Sequence, residues 1–96
     1  MSSSAWVFNI KIFIGGGLMR YYLINIRLKR GFSQRKVARE AGLSYQHYAR
    51  IENGERGKKV SFLIVGRIAE ALGVTLDELF KYEQEYQDSL EFNKEQ

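Results

Sequence analysis

A chain of 96 residues with 45% hydrophobic side chains suits one small domain with a single modest core and excludes a disordered polymer. It has no cysteine, which excludes a disulfide framework and a thiolate metal site, and no apolar run approaches the roughly 18 residues that a membrane helix needs. The net charge of +4 is unevenly spread: from Arg20 to Lys59 eleven Lys and Arg stand against three Glu, whereas from Val60 onward three Lys and Arg stand against eight Asp and Glu. A basic half suits a polyanionic partner, although a solvated charged surface gives the same count.

Residues 1–18 form an apolar N-terminal extension. Trp6, Phe8, Ile10, Ile12 and Ile14 alternate as the residues of a strand do. Three readings of this segment stay open. It pairs with its copy in a second subunit, it lies on the core as an apolar arm, or it is an upstream-translated segment. The last reading rests on Ile14 to Met19, which a purine-rich stretch resembling a ribosome-binding site can encode; it expects the physiological start at Met19. No basic region opens the chain, so no signal peptide is expected.

Met19 to Arg30 reads as a first helix, with Tyr22, Leu23 and Ile26 inward and Arg20, Lys29 and Arg30 outward. Gly31 suits its C-terminal cap and Phe32 anchors the following turn. Ser33 is placed to cap a second helix, Gln34 to Ala41, and Gly42 to end it. Ser44 caps a third helix, Tyr45 to Asn53, which stops at Gly54. Val37, Ala38, Ala41, Leu43, Tyr48 and Ile51 then share one buried seam, with the Tyr48 hydroxyl expected to reach its edge. Gln34, Arg35, Arg39, Tyr45, Gln46, His47 and Arg50 are left outside.

The polar loop from Asn53 to Lys59 carries two glycines and three cations. Ser61 to Leu72 reads as a fourth helix, with Leu63, Ile64, Ile68, Ala71 and Leu72 inward and Gly66 permitting a close helix contact. Thr75 and Glu78 form a capping box opening a fifth helix, which carries Leu76, Leu79 and Phe80. Beyond it the acidic stretch to Gln96 either extends that helix or frays, and its Tyr86, Leu90 and Phe92 suit packing or a subunit contact.

Gly31, Ser33-Gln34, Ala38, Gly42-Leu43-Ser44, Ile51-Glu52-Asn53-Gly54, Ile68 to Val74 and Leu76 to Phe80 stand in an order and spacing that resembles the helix-turn-helix of the phage-repressor-like (Cro/repressor, XRE) family. The resemblance runs from about Leu23 to Phe80. It implies an all-α, five-helix repressor-like domain over 19–82, preceded by a strand or arm and followed by an acidic tail over 83–96. By family position Tyr45, Gln46, Ala49 and Arg50 face the major groove. There Gln46 suits adenine and Arg50 suits guanine.

Phosphate contacts are expected from Gln34, Arg35, Arg39, His47, Asn53, Arg56, Lys58 and Lys59. The resemblance also implies an ion pair between Arg27 and Glu52, at least partly buried. Val60 stands where the family often has proline, which leaves the entry to the fourth helix less constrained.

The function implied is sequence-specific binding of double-stranded DNA by a transcriptional regulator, a repressor acting as a homodimer on a palindromic operator in the cytoplasm. The competing reading is a protein-interaction module or antitoxin-type partner on the same fold. A single histidine, no cysteine and no nucleophile–base pair argue against an enzyme, and no metal, cofactor or small-molecule effector is expected.

Overall fold

Four hydroxyl side chains mark where four of the helices begin. In the computed structural model, which describes residues 13–14, 17–55 and 60–94, five helices follow one another: α1 Tyr21–Lys29, α2 Gln34–Ala41, α3 Tyr45–Asn53, α4 Phe62–Leu72 and α5 Leu76–Lys94. Ser33, Ser44 and Ser61 cap α2, α3 and α4 by accepting from the backbone N–H of Lys36, His47 and Ile64 at 3.0, 3.0 and 3.2 Å. Thr75 accepts from Glu78 N–H at 3.1 Å at the start of α5. Each such bond satisfies a donor that the helix itself leaves unpaired.

The turn between α2 and α3 depends on Gly42, whose φ of 74° lies in the left-handed region. Leu43 N–H then bonds Ala38 C=O at 2.8 Å, closing the helix end in the manner of a Schellman motif.

Ahead of the helices, Phe13–Ile14 (β1) pairs antiparallel with Gly17–Leu18 (β2), Phe13 opposite Leu18 and Ile14 opposite Gly17. Strands of two residues add no layer, and the domain is all-α. Most of the alternating segment, Trp6 to Ile12, lies outside the described residues.

The core gathers under α2 and α4, which pack on each other; α3 lies against α2, and α5 against α4. Leu23, Val37, Tyr48, Ile68, Leu72 and Leu79 are at most 2% exposed. Among the described residues no helix is long and apolar enough to cross a membrane.

Four expectations are corrected by this packing. Arg20 is not outside but buried, because α1 starts two residues later, at Tyr21, and Arg20 occupies its N-cap position, where its N–H bonds Glu52 C=O at 2.8 Å. Leu63 points to solvent while Val65 takes an inward place. The opening of α4, Phe-Leu-Ile-Val, is apolar all round, so its periodicity does not choose a face. The inward phase is set by Val65, Ile68, Ala69 and Leu72 against the rest of the core.

Gly66 makes no close helix contact, since a Cβ built there meets nothing within 4 Å. The Tyr48 hydroxyl stops short of the edge: the residue is fully buried and its O–H is spent on Glu52.

Candidate nucleic-acid interface

Glu52 is 1% exposed, and its two oxygens accept four hydrogen bonds. Oε1 accepts from Gln34 Nε2 at 2.8 Å and from Arg27 Nη2 at 3.2 Å. Oε2 accepts from Arg27 Nε and from the Tyr48 hydroxyl, both at 2.6 Å. Arg27 Nη1 donates to Phe32 C=O at 3.0 Å. One carboxylate therefore joins α1, α2 and α3, and the orientation of α3 depends on it.

The electrostatics follow from burial. Desolvation alone would lower the Arg27 pKa, but the hydrogen bond and charge of Glu52 outweigh it and hold the guanidinium above its ordinary value. The Tyr48 hydroxyl is pushed well above its ordinary range by burial first, then by the adjacent Glu52 charge and their hydrogen bond.

A second buried network holds the far end of α3. Arg20 donates from Nε and Nη2 to the two oxygens of Glu83, each at 2.9 Å, and from Nη1 to Ile51 C=O at 2.9 Å. Glu83 also accepts from the Tyr22 hydroxyl and, at 2.8 Å, from Gln87 Nε2. The Arg20 guanidinium lies 4.4 Å from the centre of the Tyr86 ring. Burial would raise the Glu83 pKa, yet the Arg20 pair and its other donors hold it below its ordinary value.

This network was not foreseen. Glu83, Tyr86 and Gln87 do share a side of α5 by their spacing, but their partner Arg20 stands 63 positions before Glu83.

With its inner side so anchored, α3 turns the rest of its surface outward. Tyr45, Gln46, His47 and Arg50 are exposed and Ala49 is half-buried among them. Gln46 and Arg50 stand four apart on one face, as do Tyr45 and Ala49. The Arg35 guanidinium of α2 stacks over the Tyr45 ring at 4.3 Å, restricting both side chains to the α2–α3 junction. Arg50 Nε lies 3.8 Å from Glu55 Oε1, with both side chains more than half exposed; a pair so solvated holds Arg50 weakly.

Arg39 and Asn53 are exposed beside this face. Gln34 is half-buried and its amide N–H is already engaged by Glu52. Arg56, Lys58 and Lys59 lie outside the described residues. The outward surface thus offers amide, guanidinium, phenol and imidazole groups, which suit non-covalent contacts to base edges and phosphates.

Comparison with known proteins agrees with this geometry. A helix-turn-helix family model matches residues 23–79, from α1 into the first turn of α5. The chain is similar to the uncharacterized HTH-type transcriptional regulator YqaF of Bacillus subtilis (strain 168), with 41% identity over 56 residues that cover 58% of this chain and 71% of that protein. No solved structure matches significantly. Proteins of this family bind double-stranded DNA and are generally not enzymes. With its match and its geometry together, the chain belongs to the XRE-type, phage-repressor-like helix-turn-helix family of DNA-binding transcription regulators.

Proposed function

We propose that this regulator is a sequence-specific repressor that acts in the cytoplasm as a homodimer on a palindromic operator. The observation that carries the reading is the outward face of α3. It presents Tyr45, Gln46, Ala49 and Arg50 together, while its inner side is locked through Glu52 to two other helices. A helix anchored along its inner side presents its outer residues to the major groove with little reorganisation on binding.

In this assignment Gln46 bonds adenine N6 and N7, and Arg50 bonds guanine O6 and N7. Tyr45 lays its ring against a thymine methyl, and Ala49 leaves room for close approach. Gln34, Arg35, Arg39, His47 and Asn53 hold the phosphates, joined by Arg56, Lys58 and Lys59 of the loop. Gln34 does so while its amide N–H remains on Glu52. The exposed N-terminal turn of α2 supplies further N–H groups and a partial positive charge. Two subunits would set their α3 helices about 34 Å apart in successive major grooves.

The test is a titration against DNA from the region upstream of the gene and against a scrambled duplex, at fixed salt. Wild type is expected to prefer the upstream DNA by more than about 10³-fold. Gln46→Ala and Arg50→Ala should each lose on the order of 1–3 kcal/mol of that discrimination. Equal binding of both DNAs by the wild type overturns the sequence-reading assignment.

A further inference from the structure

The last turn of α3 ends in carbonyls that the helix's own N–H ladder leaves unpaired. Two of them accept from one residue. Arg20 donates its backbone N–H to Glu52 C=O at 2.8 Å and its Nη1 to Ile51 C=O at 2.9 Å. Its charge thus stands at the negative end of the helix, where a cation is favourable. Arg20 is itself clamped. Its Nε and Nη2 fork onto the two oxygens of Glu83, each at 2.9 Å, and its side chain is 2% exposed. Arg20 and Glu83 both stand outside the matched residues 23–79, so the clamp comes from the flanks of the chain.

Arg50 projects from the same last turn, next in the chain to Ile51. Its contact with Glu55, at 3.8 Å, is solvated and weak, so the place of its guanidinium is set by the backbone that carries it. Gln46 sits four residues earlier, about 6 Å back along the axis, in the turn that the Ser44 cap opens. That turn has its own support, since the Arg35 stack on Tyr45 also fixes it against α2. The two ends of the reading face are therefore held by different residues.

We propose that Arg20, held by Glu83, is a positioning residue for base reading: it sets the last turn of α3, and through it the aim of Arg50 at guanine, while Gln46 keeps its separate support. The inference rests on the operator reading above and names the residue pair that gives it accuracy at one base. A paired contact to O6 and N7 of guanine needs both hydrogen bonds aligned, and a displacement on the order of 0.5 Å spoils it. Loosening the clamp frees the last turn to fray or tilt. That moves Arg50 more than Gln46, because the first turn retains its anchors.

The test scans single base-pair substitutions in a bound duplex with wild type, Arg50→Ala and Gln46→Ala. The base pair read by each side chain is the one whose preference its removal abolishes. Arg20→Lys and Glu83→Asp are then measured on the same duplexes. Lysine keeps the charge but lacks the fork that holds Glu83 and Ile51 together, and aspartate keeps the pair charged but shortens the clamp. Ser61→Ala, which removes the cap of α4, is the stability control. Thermal melts set a temperature at which the variants are folded.

Arg20→Lys and Glu83→Asp should each lose about fivefold or more of the preference at the Arg50 base pair and stay within about twofold of wild type at the Gln46 base pair. Ser61→Ala should match wild type at both. Adding Arg20→Lys to Arg50→Ala should cost that base pair nothing further, since the two act through one contact. Unchanged preference at the Arg50 base pair in the folded variants, an equal loss at both base pairs, no base pair that responds to Arg50→Ala, or failure of both variants to fold overturns the positioning role and leaves the operator reading standing. Absence of any base preference in the wild type overturns the operator reading itself.

Discussion

At the scale of single residues, the two oxygens of Glu52 tie three helices together. Four donors from α1, α2 and α3 converge on a carboxylate that is 1% exposed, and its main partner Arg27 has a side chain only 11% exposed. Replacing one member of such a pair leaves the other buried without compensation. Glu52→Gln is therefore expected to lose on the order of 3–5 kcal/mol of stability in chemical denaturation. A loss below about 1 kcal/mol would show that the pair is effectively solvated.

The two buried networks, around Glu52 and around Glu83, set an alkaline limit. The hydroxyls of Tyr48 and Tyr22 titrate well above their ordinary value of 10.0 in the folded protein, through burial first and then the neighbouring carboxylate. The unfolded chain gives up these protons first, so it binds fewer protons than the native state as pH rises past 10.0. Stability is then fully present below that pH and falls above it. Urea midpoints measured from pH 8 upward should decline past about pH 10, less steeply in Tyr48→Phe.

At the scale of elements, α2 to α5 each owe their start to a hydroxyl side chain and their phase to the core, whereas α1 has no side-chain cap. The caps were legible because a hydroxyl at N-cap acts on its own next three residues, and Ser33, Ser44, Ser61 and Thr75 all bond as their positions require. Ser44→Ala should destabilise the protein by about 1 kcal/mol, with amide exchange rising first in the opening turn of α3. A uniform rise over all helices would mean that the cap contributes only to global stability.

The phase of α4 was less legible, since a segment apolar on every side matches several inward faces, and Val65 rather than Leu63 took the buried place. The course of α5 past Tyr82 depended on Tyr86 and Leu90 reaching the core and on Glu83 meeting Arg20, a distant partner that their shared face does not name.

The Glu83 carboxyl, depressed although burial opposes it, gives this element its own pH signature. Its contribution is complete above the ordinary carboxyl value of 4.5 and is lost as pH falls through the lower native value, because the unfolded chain takes up the proton first. Acid unfolding should begin below about pH 4.5, and Glu83→Gln should flatten that part of the stability profile.

At the scale of the whole molecule, charge and shape divide the work. The basic half, Arg20 to Lys59, contains α2 and α3, while the acidic half contains α4 and α5. Phosphate contacts and base contacts respond differently to salt, and this separates the residue roles proposed for the interface. Arg35→Ala and Arg39→Ala should each reduce the slope of log K against log salt by about 1, with little change in sequence preference. Gln46→Ala should leave the slope unchanged and narrow the preference. Equal slopes for wild type, Arg35→Ala and Arg39→Ala would remove both arginines from the phosphate set.

What the sequence by itself determined is what depends on neighbours along the chain: the helix starts at four hydroxyl caps, the Gly42 turn, the buried seam of α2 and α3, and a motif order specific enough to identify the family. The outward placement of Gln46 and Arg50 follows from the same local periodicity once the inner residues of α3 are known. Tertiary structure alone decided that Arg20 is a buried hub, that Tyr48 spends its hydroxyl inside, and that α4 turns Phe62 and Leu63 to solvent. Each of these depends on a partner brought close by folding, as Glu83 is to Arg20, or on a choice among faces of equal hydrophobicity. Local spacing carries no information on either, because burial of a charge or an apolar group is a property of what packs over it.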